Sequence, residues 1–373
     1  MGYHQFDFTG GQLLPVKMKS NRVWRIYSGG KLLEEFCGKQ LSADGFFPED
    51  WLGSLVEANN PTRENQPLHE GLSLTEDGCL FRDILKQDPK GYLGADHIAH
   101  LGLSMGILVK LLDSAERLPI QVHPDKQKAR EYFCSDYGKT EAWYIMDGRE
   151  IGGEQPYILL GFREGVTREE WQTYFYRQDI KAMENSLHKI SVKPGDVYLV
   201  NGGTPHAIGA GCLILEIQEP TDYTISVERQ TPQGEILDDF MLHHGIGFDK
   251  MLECFHYEPL SLKKLLQRYK LKPQLLHEEP EAKVTSLVTY NDTLMFALNS
   301  VQVTGCYRRP CEKRPSLLVT IAGNGEISCA GHSISIKKGE TVFMPAGLPD
   351  VTLVCGSETA LLMLECLPPQ INV

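Results

Sequence analysis

Two stretches of the chain repeat one pattern of polar turns and apolar runs. Residues 193–206 read KPGDVYLVNGGTPH, and residues 337–350, offset by 144 positions, read KKGETVFMPAGLPD. Each copy has a basic residue, a Gly–acid turn (Gly195-Asp196 and Gly339-Glu340), an apolar run, a second Gly turn and a Pro. Upstream lie HKISV (188–192) and SISI (333–336), whose alternation is that of strands burying one face. Downstream lie CLILEIQEP (212–220) and ALLMLECLPP (360–369), long apolar strands that each carry a Glu near the end. Short antiparallel strands broken by Gly turns predict a jelly roll, so the repeat predicts a mainly β chain of two jelly-roll β-sandwich domains with interspersed helices.

The helical signals fall between and around the strands. Thr167-Arg-Glu-Glu170 is a capping box that opens a helix through Trp171, Tyr174 and Phe175. Asp125 begins a short helix, KQKAREYF. The stretch 239–272 has helical apolar spacing around Leu252 and Leu265-Leu266 and is expected to link the sandwiches. Residues 52–75 are turn-rich and predict no definite element. The expected division is a first domain over 1–235, a helical link over 236–284 and a second domain over 285–373.

Composition narrows the partners. A chain of 373 residues exceeds the usual single core, which agrees with two domains. A net charge of −12 argues against a nucleic-acid or anionic-membrane partner, since either asks for a clustered basic face. The first residues lack a basic start and an apolar core, so no signal peptide is read there. Phe6 stands where a myristoylation signal beginning Met1-Gly2 would need Ser or Thr. No apolar run is long enough to span a bilayer. The ten cysteines include no CxxC pair, and several sit in apolar strands such as LLMLEC, as small core residues of a reduced, cytoplasmic protein do.

The repeat loses its symmetry at its chemistry. The first copy ends in His206; the second has Asp350 there, with only His332 nearby. Gln121 and His123, two apart, share a strand face, as do Lys139 and Glu141. Two imidazoles, a carboxylate and an amide oxygen form a mixed set suited to Zn²⁺ and acceptable to Mn²⁺, Co²⁺ or Fe²⁺. Spacing alone favours hydrogen-bonded structural histidines.

LPIQVHPDK (118–126), GKTEAWYI (138–145), LLGF (159–162) and KPGDVYLVNGGTPHAIGAGCLILEIQEPTD (193–222) resemble the class I mannose-6-phosphate isomerases, double-cupin metalloenzymes. The C-terminal repeat is similar to that family's second cupin, while residues 1–117 fit only loosely, with Trp24, Lys31, Glu49 and Trp51 available to help close a pocket. The resemblance implies one divalent metal ion, Zn²⁺ first, on Gln121, His123, Glu141 and His206. It implies interconversion of mannose 6-phosphate and fructose 6-phosphate, with a proton lifted from C2 and returned to C1 through an enediol(ate) that a cation stabilises. Lys139 would bring positive charge to the substrate, Glu216 would handle the proton, and Asp222 would line the pocket. Glu365 ends the matching strand of the second copy, which gives Glu216 an architectural reading too.

Two positions depart from the family. Its D-x-x-x-R run is here Asp222-Tyr-Thr-Ile-Ser226, with Ser in place of Arg; Arg229, three residues on, would compensate only if the backbone turned it back. Pro119 stands where the family commonly has Ser. Loss of a bidentate guanidinium bears on phosphate recognition and on catalysis. It therefore leaves open a non-catalytic sugar-phosphate binder and an isomerase of a non-phosphorylated sugar. A monomer is the default expectation.

Overall fold

The structure is a computed structural model that describes residues 13–371 apart from 41–42, 61–62, 64 and 232. The N-terminal residues behind the signal-peptide and myristoylation readings lie outside the described residues.

Four antiparallel sheets stack face on face. A five-stranded sheet runs in the order Ile225–Ser226, Gln121–Val122, His206–Ile208, Tyr157–Phe162, Leu187–Ser191. Beside it is a six-stranded sheet: Arg22–Val23, Glu49–Leu52, Leu108–Asp113, Cys212–Gln218, Glu141–Gly148, Val197–Val200. A seven-stranded sheet follows, from Val16–Met18 through Thr341–Met344, Ser316–Ala322, Leu361–Leu367, Ala297–Val303 and Ala282–Val288 to Gln274–Glu279. A four-stranded sheet of Cys306–Arg309, Val351–Cys355, Asn324–Cys329 and His332–Lys337 completes the stack.

The two-residue period of a strand explains why the middle sheets read as unbroken apolar runs. Along Cys212–Gln218 every residue is buried. Leu213, Leu215 and Ile217 pack with Leu298, Val319, Phe343 and Leu364 of the seven-stranded sheet. Ile214 faces the other way, with Leu112, Trp143 and Ile145, toward Ile158, Leu160 and Ile208 of the five-stranded sheet. Glu216 falls on that second face because it lies two residues from Ile214. Lys110 does so beside it, since it pairs with Glu216 in the antiparallel register. Thus the first sandwich has a face where polar residues interrupt an apolar pattern.

The repeat seen in the sequence is structural. Val197–Val200 and Thr341–Met344 are matching strands. Both preceding turns put glycine in the left-handed region, Gly195 at φ 90° and Gly339 at φ 87°. In each turn the acid accepts from the basic residue's backbone N–H, Lys193 to Asp196 and Lys337 to Glu340.

Both predicted caps are present. Thr167 accepts from Glu170 N–H and Glu170 reaches back, opening Arg168–Arg177; Asp125 accepts from Lys128 N–H, opening Lys126–Phe133. Trp171 and Phe175 bury against the outer face of the five-stranded sheet, with Met251 and Leu252. The stretch 239–272 is three short helices, Asp239–His243, Phe248–Glu253 and Leu262–Tyr269, broken at left-handed His244 and Gly247 and at Pro259. All ten cysteines are free. No helix among the described residues is long and apolar enough to cross a membrane.

Candidate metal centre and catalytic cavity

His123, Glu141 and His206 converge at one end of the first sandwich, their ligand atoms all within 4.8 Å of one another. Gln121 and His206 sit opposite each other on neighbouring strands, and Glu141 opens a strand of the facing sheet. Each imidazole is anchored through Nδ1, His123 donating to Tyr223 O at 2.9 Å and His206 to Thr204 O at 2.8 Å. That fixes the tautomer and leaves both Nε2 lone pairs facing the centre. Each Nε2 lies 3.3 Å from one Glu141 oxygen.

All three groups are essentially sealed from solvent, His123 at 1%, Glu141 at 1% and His206 at 0% exposure. Burial, reinforced by the charge of Lys139, pushes His123 down to about 3, and burial lowers His206 as well. Burial works to raise Glu141, but His123 and Lys139 overcome it and hold that carboxyl far below the usual range. The result is two neutral imidazoles and one carboxylate, the protonation that a divalent cation needs of its ligands.

Both Glu141 oxygens are buried without a hydrogen bond. Orphaned buried acceptors are costly unless something occupies them. A cation of the Zn²⁺ type suits this donor set. The Gln121 amide completes it, lying with Nε2 3.2 Å from His206 Nε2; turned by half a rotation it presents its oxygen there. Lys139 Nζ lies 3.1 Å from His123 Nε2 and 3.6 Å from Glu141.

A cavity opens from this cluster across the interrupted face of the first sandwich. Gln121, Lys139, Glu216, Lys110, Asp222 and Arg25 line it, with Trp24, Tyr27, Glu49 and Ser226. Burial first, then the charge of Glu141, pushes the Glu216 carboxyl up to about 7, against the pull of Lys110 and Lys139. Asp222 goes the other way. Burial would raise it, but Arg25 and Lys110 bring it down to about 2. Two carboxylates in one cavity are therefore poised oppositely, one to exchange a proton near neutrality and one to stay charged.

Gln121, Lys139, Glu216, Asp222 and Ser226 line this space, His123, Glu141 and His206 cluster against Gln121 and Lys139 at its edge, and Arg229 is left out. The Arg229 guanidinium lies over Phe248 at 4.6 Å and Phe175 at 5.4 Å, and its Nε is 3.9 Å from Asp239. Three positions beyond Ser226 the side chain points to the other side of the sheet, so Arg229 does not compensate at the cavity. The Ser226 hydroxyl closes a local turn with the backbone of Glu228.

Of the four residues expected to help close the pocket, Trp24 and Glu49 line it, Trp51 lies buried behind Arg25, and Lys31 opens the helix Lys31–Phe36 outside the lining, whereas Arg25 and Lys110 line it with no role expected of them. Lys110 had a signal, a lysine centred in the apolar run LVKLLD, all six residues of which are buried. Arg25 had none, because its partner Asp222 lies 197 positions away.

A jelly-roll sandwich with a buried His–Glu–His cluster at one end and a polar cavity beside it defines a metal-binding cupin. Residues 48–144 match the family "Phosphomannose isomerase type I, catalytic domain". The mannose-6-phosphate isomerase ManA of Bacillus subtilis is 28% identical over 69% of this chain and 76% of its own length. The mannose-6-phosphate isomerase of Streptococcus mutans is 29% identical over 89% of this chain and 92% of its own. The crystal structure of the Bacillus subtilis mannose 6-phosphate isomerase superposes with a TM-score of 0.72 at 23% identity, covering 95% of this chain and 99% of that one. The chain is thus similar to class I mannose-6-phosphate isomerases, in a catalytic-domain segment, in sequence over most of its length and in fold.

Proposed function

We propose that this protein is a metal-dependent aldose–ketose isomerase that interconverts mannose 6-phosphate and fructose 6-phosphate. The observation that carries the reading is one cavity joining a cluster fit for a cation to a carboxyl pushed up to about 7 between two lysines. Gln121, His123, Glu141 and His206 hold the ion, with Zn²⁺ the first choice for that donor set. Once bound, the ion supplies Lewis-acid stabilisation to the oxygen that becomes negative.

The remaining chemistry is assigned to the chain's own residues. A Glu216 oxygen takes the proton from C2 of the open-chain aldose. The C–H electron pair becomes the C1–C2 double bond, and the aldehyde oxygen takes the charge. The same carboxyl returns the proton to C1 as the C2 hydroxyl gives its proton to the C1 oxygen and the ketone forms. A pKa near the working pH suits a group that must do both. Lys139 Nζ places a fixed positive charge beside the reacting oxygens, in a buried setting where such charges act strongly. Asp222, held ionised, accepts from sugar hydroxyls and orients the chain, with Ser226 on the same wall.

The polypeptide is proposed to divide into a catalytic cupin over 1–235, a link from 236 and a metal-free cupin to 373; the second sandwich's sheet already takes Gln274–Glu279 and Ala282–Val288, so the link ends before the expected 284. It is proposed to act as a cytoplasmic monomer on a small sugar phosphate, with neither nucleic acid nor membrane as partner. A coupled assay of mannose 6-phosphate conversion tests the reading, on protein stripped by chelator and reloaded separately with Zn²⁺, Mn²⁺ or Co²⁺. The expected result is turnover above about 1 s⁻¹ that disappears on stripping and returns with metal. Protein that demonstrably binds an ion yet turns over with none of them sinks it.

A further inference from the structure

Among the residues lining the cavity, Arg25 is the one arginine. It lies in a connection just after the strand Arg22–Val23 and reaches the cavity from 197 positions before Asp222. Its two terminal nitrogens grip that carboxylate, Nη1 at 3.1 Å and Nη2 at 3.0 Å. Nη1 also donates to Asn60 Oδ1 at 3.1 Å, and Nε lies 3.0 Å from Glu49. The guanidinium stands 5.0 Å over the Trp51 ring. Glu49 is itself tied by Tyr27 and Trp51, each at 2.7 Å.

This arrangement is more than a structural ion pair. A guanidinium has five N–H donors. Here Nε is taken by the Glu49 carboxylate and Nη1 by Asn60 and Asp222, but Nη2 makes one bond where it has two hydrogens to give. Unspent donors of a buried cation on a cavity wall are costly unless a ligand or water takes them. Lys110 beside it is shared among three carboxylates. Its Nζ stands 3.5 Å from Glu216 and 3.9 Å from both Glu49 and Asp222, at ion-pair range.

We propose that Arg25 is the substrate-positioning guanidinium of this cavity, fixing Asp222 and donating its remaining Nη2 N–H to the bound sugar phosphate. It does so from the N-terminal segment because position 226, four residues past Asp222 on the same wall, carries Ser. The inference rests on the isomerase reading above.

The test uses the full-length, metal-loaded protein. Arg25→Ala is expected to lower kcat/KM for mannose 6-phosphate by about 100-fold, the scale of a misplaced substrate. Arg25→Lys keeps the charge without the planar fork and should still lose about tenfold. The readout that separates positioning from mere support is relocation. Adding Ser226→Arg to Arg25→Ala, or adding methylguanidine to Arg25→Ala, should restore at least about tenfold, since either returns a guanidinium to the same wall. The proposal is overturned if folded, metal-loaded Arg25→Ala keeps both kcat and KM within about threefold of wild type. It is also overturned if the loss follows melting temperature or metal content and neither guanidinium restores it. The wild-type arm separates the two readings. A wild-type protein without turnover removes the isomerase reading, and Arg25 is then judged by stabilisation with mannose 6-phosphate, expected in wild type and absent from Arg25→Ala. Wild type with neither turnover nor stabilisation removes both.

Discussion

The two sandwiches share a strand plan and differ in what they do with a buried acid. In the first, Glu216 sits on the inner face with one oxygen free of any hydrogen bond, on the wall of a cavity. In the second, Glu365 occupies the matching strand but is closed off. Arg309 grips it, with Nε at 2.9 Å, and Ser316 donates to it at 3.1 Å. The second sandwich has Asp350 where the first has His206, and that carboxylate pairs with Arg308 at 2.9 Å near the surface. One copy leaves acceptors unsatisfied and can take a cation and a ligand; the other satisfies them internally and can only support. Among the described residues the buried carboxylate oxygens without a hydrogen bond all lie in the first copy, where something outside the chain can relieve their cost.

The largest effect should come from the position where the copies diverge. His206→Ala removes one of three convergent ligands, and is expected to strip the ion and lower turnover by at least about 10³-fold. Asp350→Ala, at the matching place in the second sandwich, should leave kcat/KM within about threefold. Metal content by atomic absorption and the coupled assay read both. A normal metal content in His206→Ala would break the comparison at its root.

The two glutamates should fail in opposite currencies. Glu216→Gln is expected to keep the ion and the fold while kcat drops by about 10²–10⁴-fold, the usual weight of a general acid–base group. Glu365→Gln leaves Arg309 buried beside a neutral partner, and should destabilise by up to about 3–5 kcal/mol with kcat unchanged in the folded fraction. Urea titrations beside initial rates decide it; loss of rate in both variants with equal stability would show that the second copy shares in catalysis.

The pH dependence of the metal-free protein sharpens the same contrast. Burial raises Glu216 from 4.5 to about 7. A carboxyl raised by folding contributes stability at pH below its unfolded value, and that contribution is lost as pH rises through the folded one. Wild type should therefore lose melting temperature relative to Glu216→Gln between about pH 5 and about pH 7.5. The buried imidazoles act oppositely. His123, lowered from 6.5 to about 3, costs stability as pH falls below 6.5, and it does so equally in both proteins. Parallel melting curves for the two proteins would mean that Glu216 is not the group held protonated.

How much of this the sequence disclosed follows from where each partner lies. The repeat and both helix caps were legible because each rests on local spacing, and the His–Glu–His set through the motifs shared with a known family. Strand period puts Gln121 beside His123, and the capping box Thr167–Glu170 needs only three residues. Glu49 and Asp222 were expected at the pocket, but Arg25 and Lys110 were not, because the four meet only through sheet order and a connection that carries no pattern of its own. Arg229 illustrates the same limit. Its nearness in sequence to Ser226 suggested a substitute, but the facing of the backbone sends it to Phe175 and Phe248.

The smallest effect tests the repeat itself. Gly195 and Gly339 hold matching left-handed turns, at φ 90° and φ 87°. A side chain at Gly195 would meet nothing within 4 Å, so Gly195→Ala should cost only the backbone term, about 1–2 kcal/mol. At Gly339 a Cβ would approach the Cys37 Cα to 3.2 Å, which adds crowding against a backbone atom to the same strain. Gly339→Ala should therefore be the more destabilising of the two in urea unfolding. A greater loss at Gly195 would mean that the turn leading to the His206 strand is held more tightly than its counterpart, and that the copies differ in rigidity as well as in chemistry.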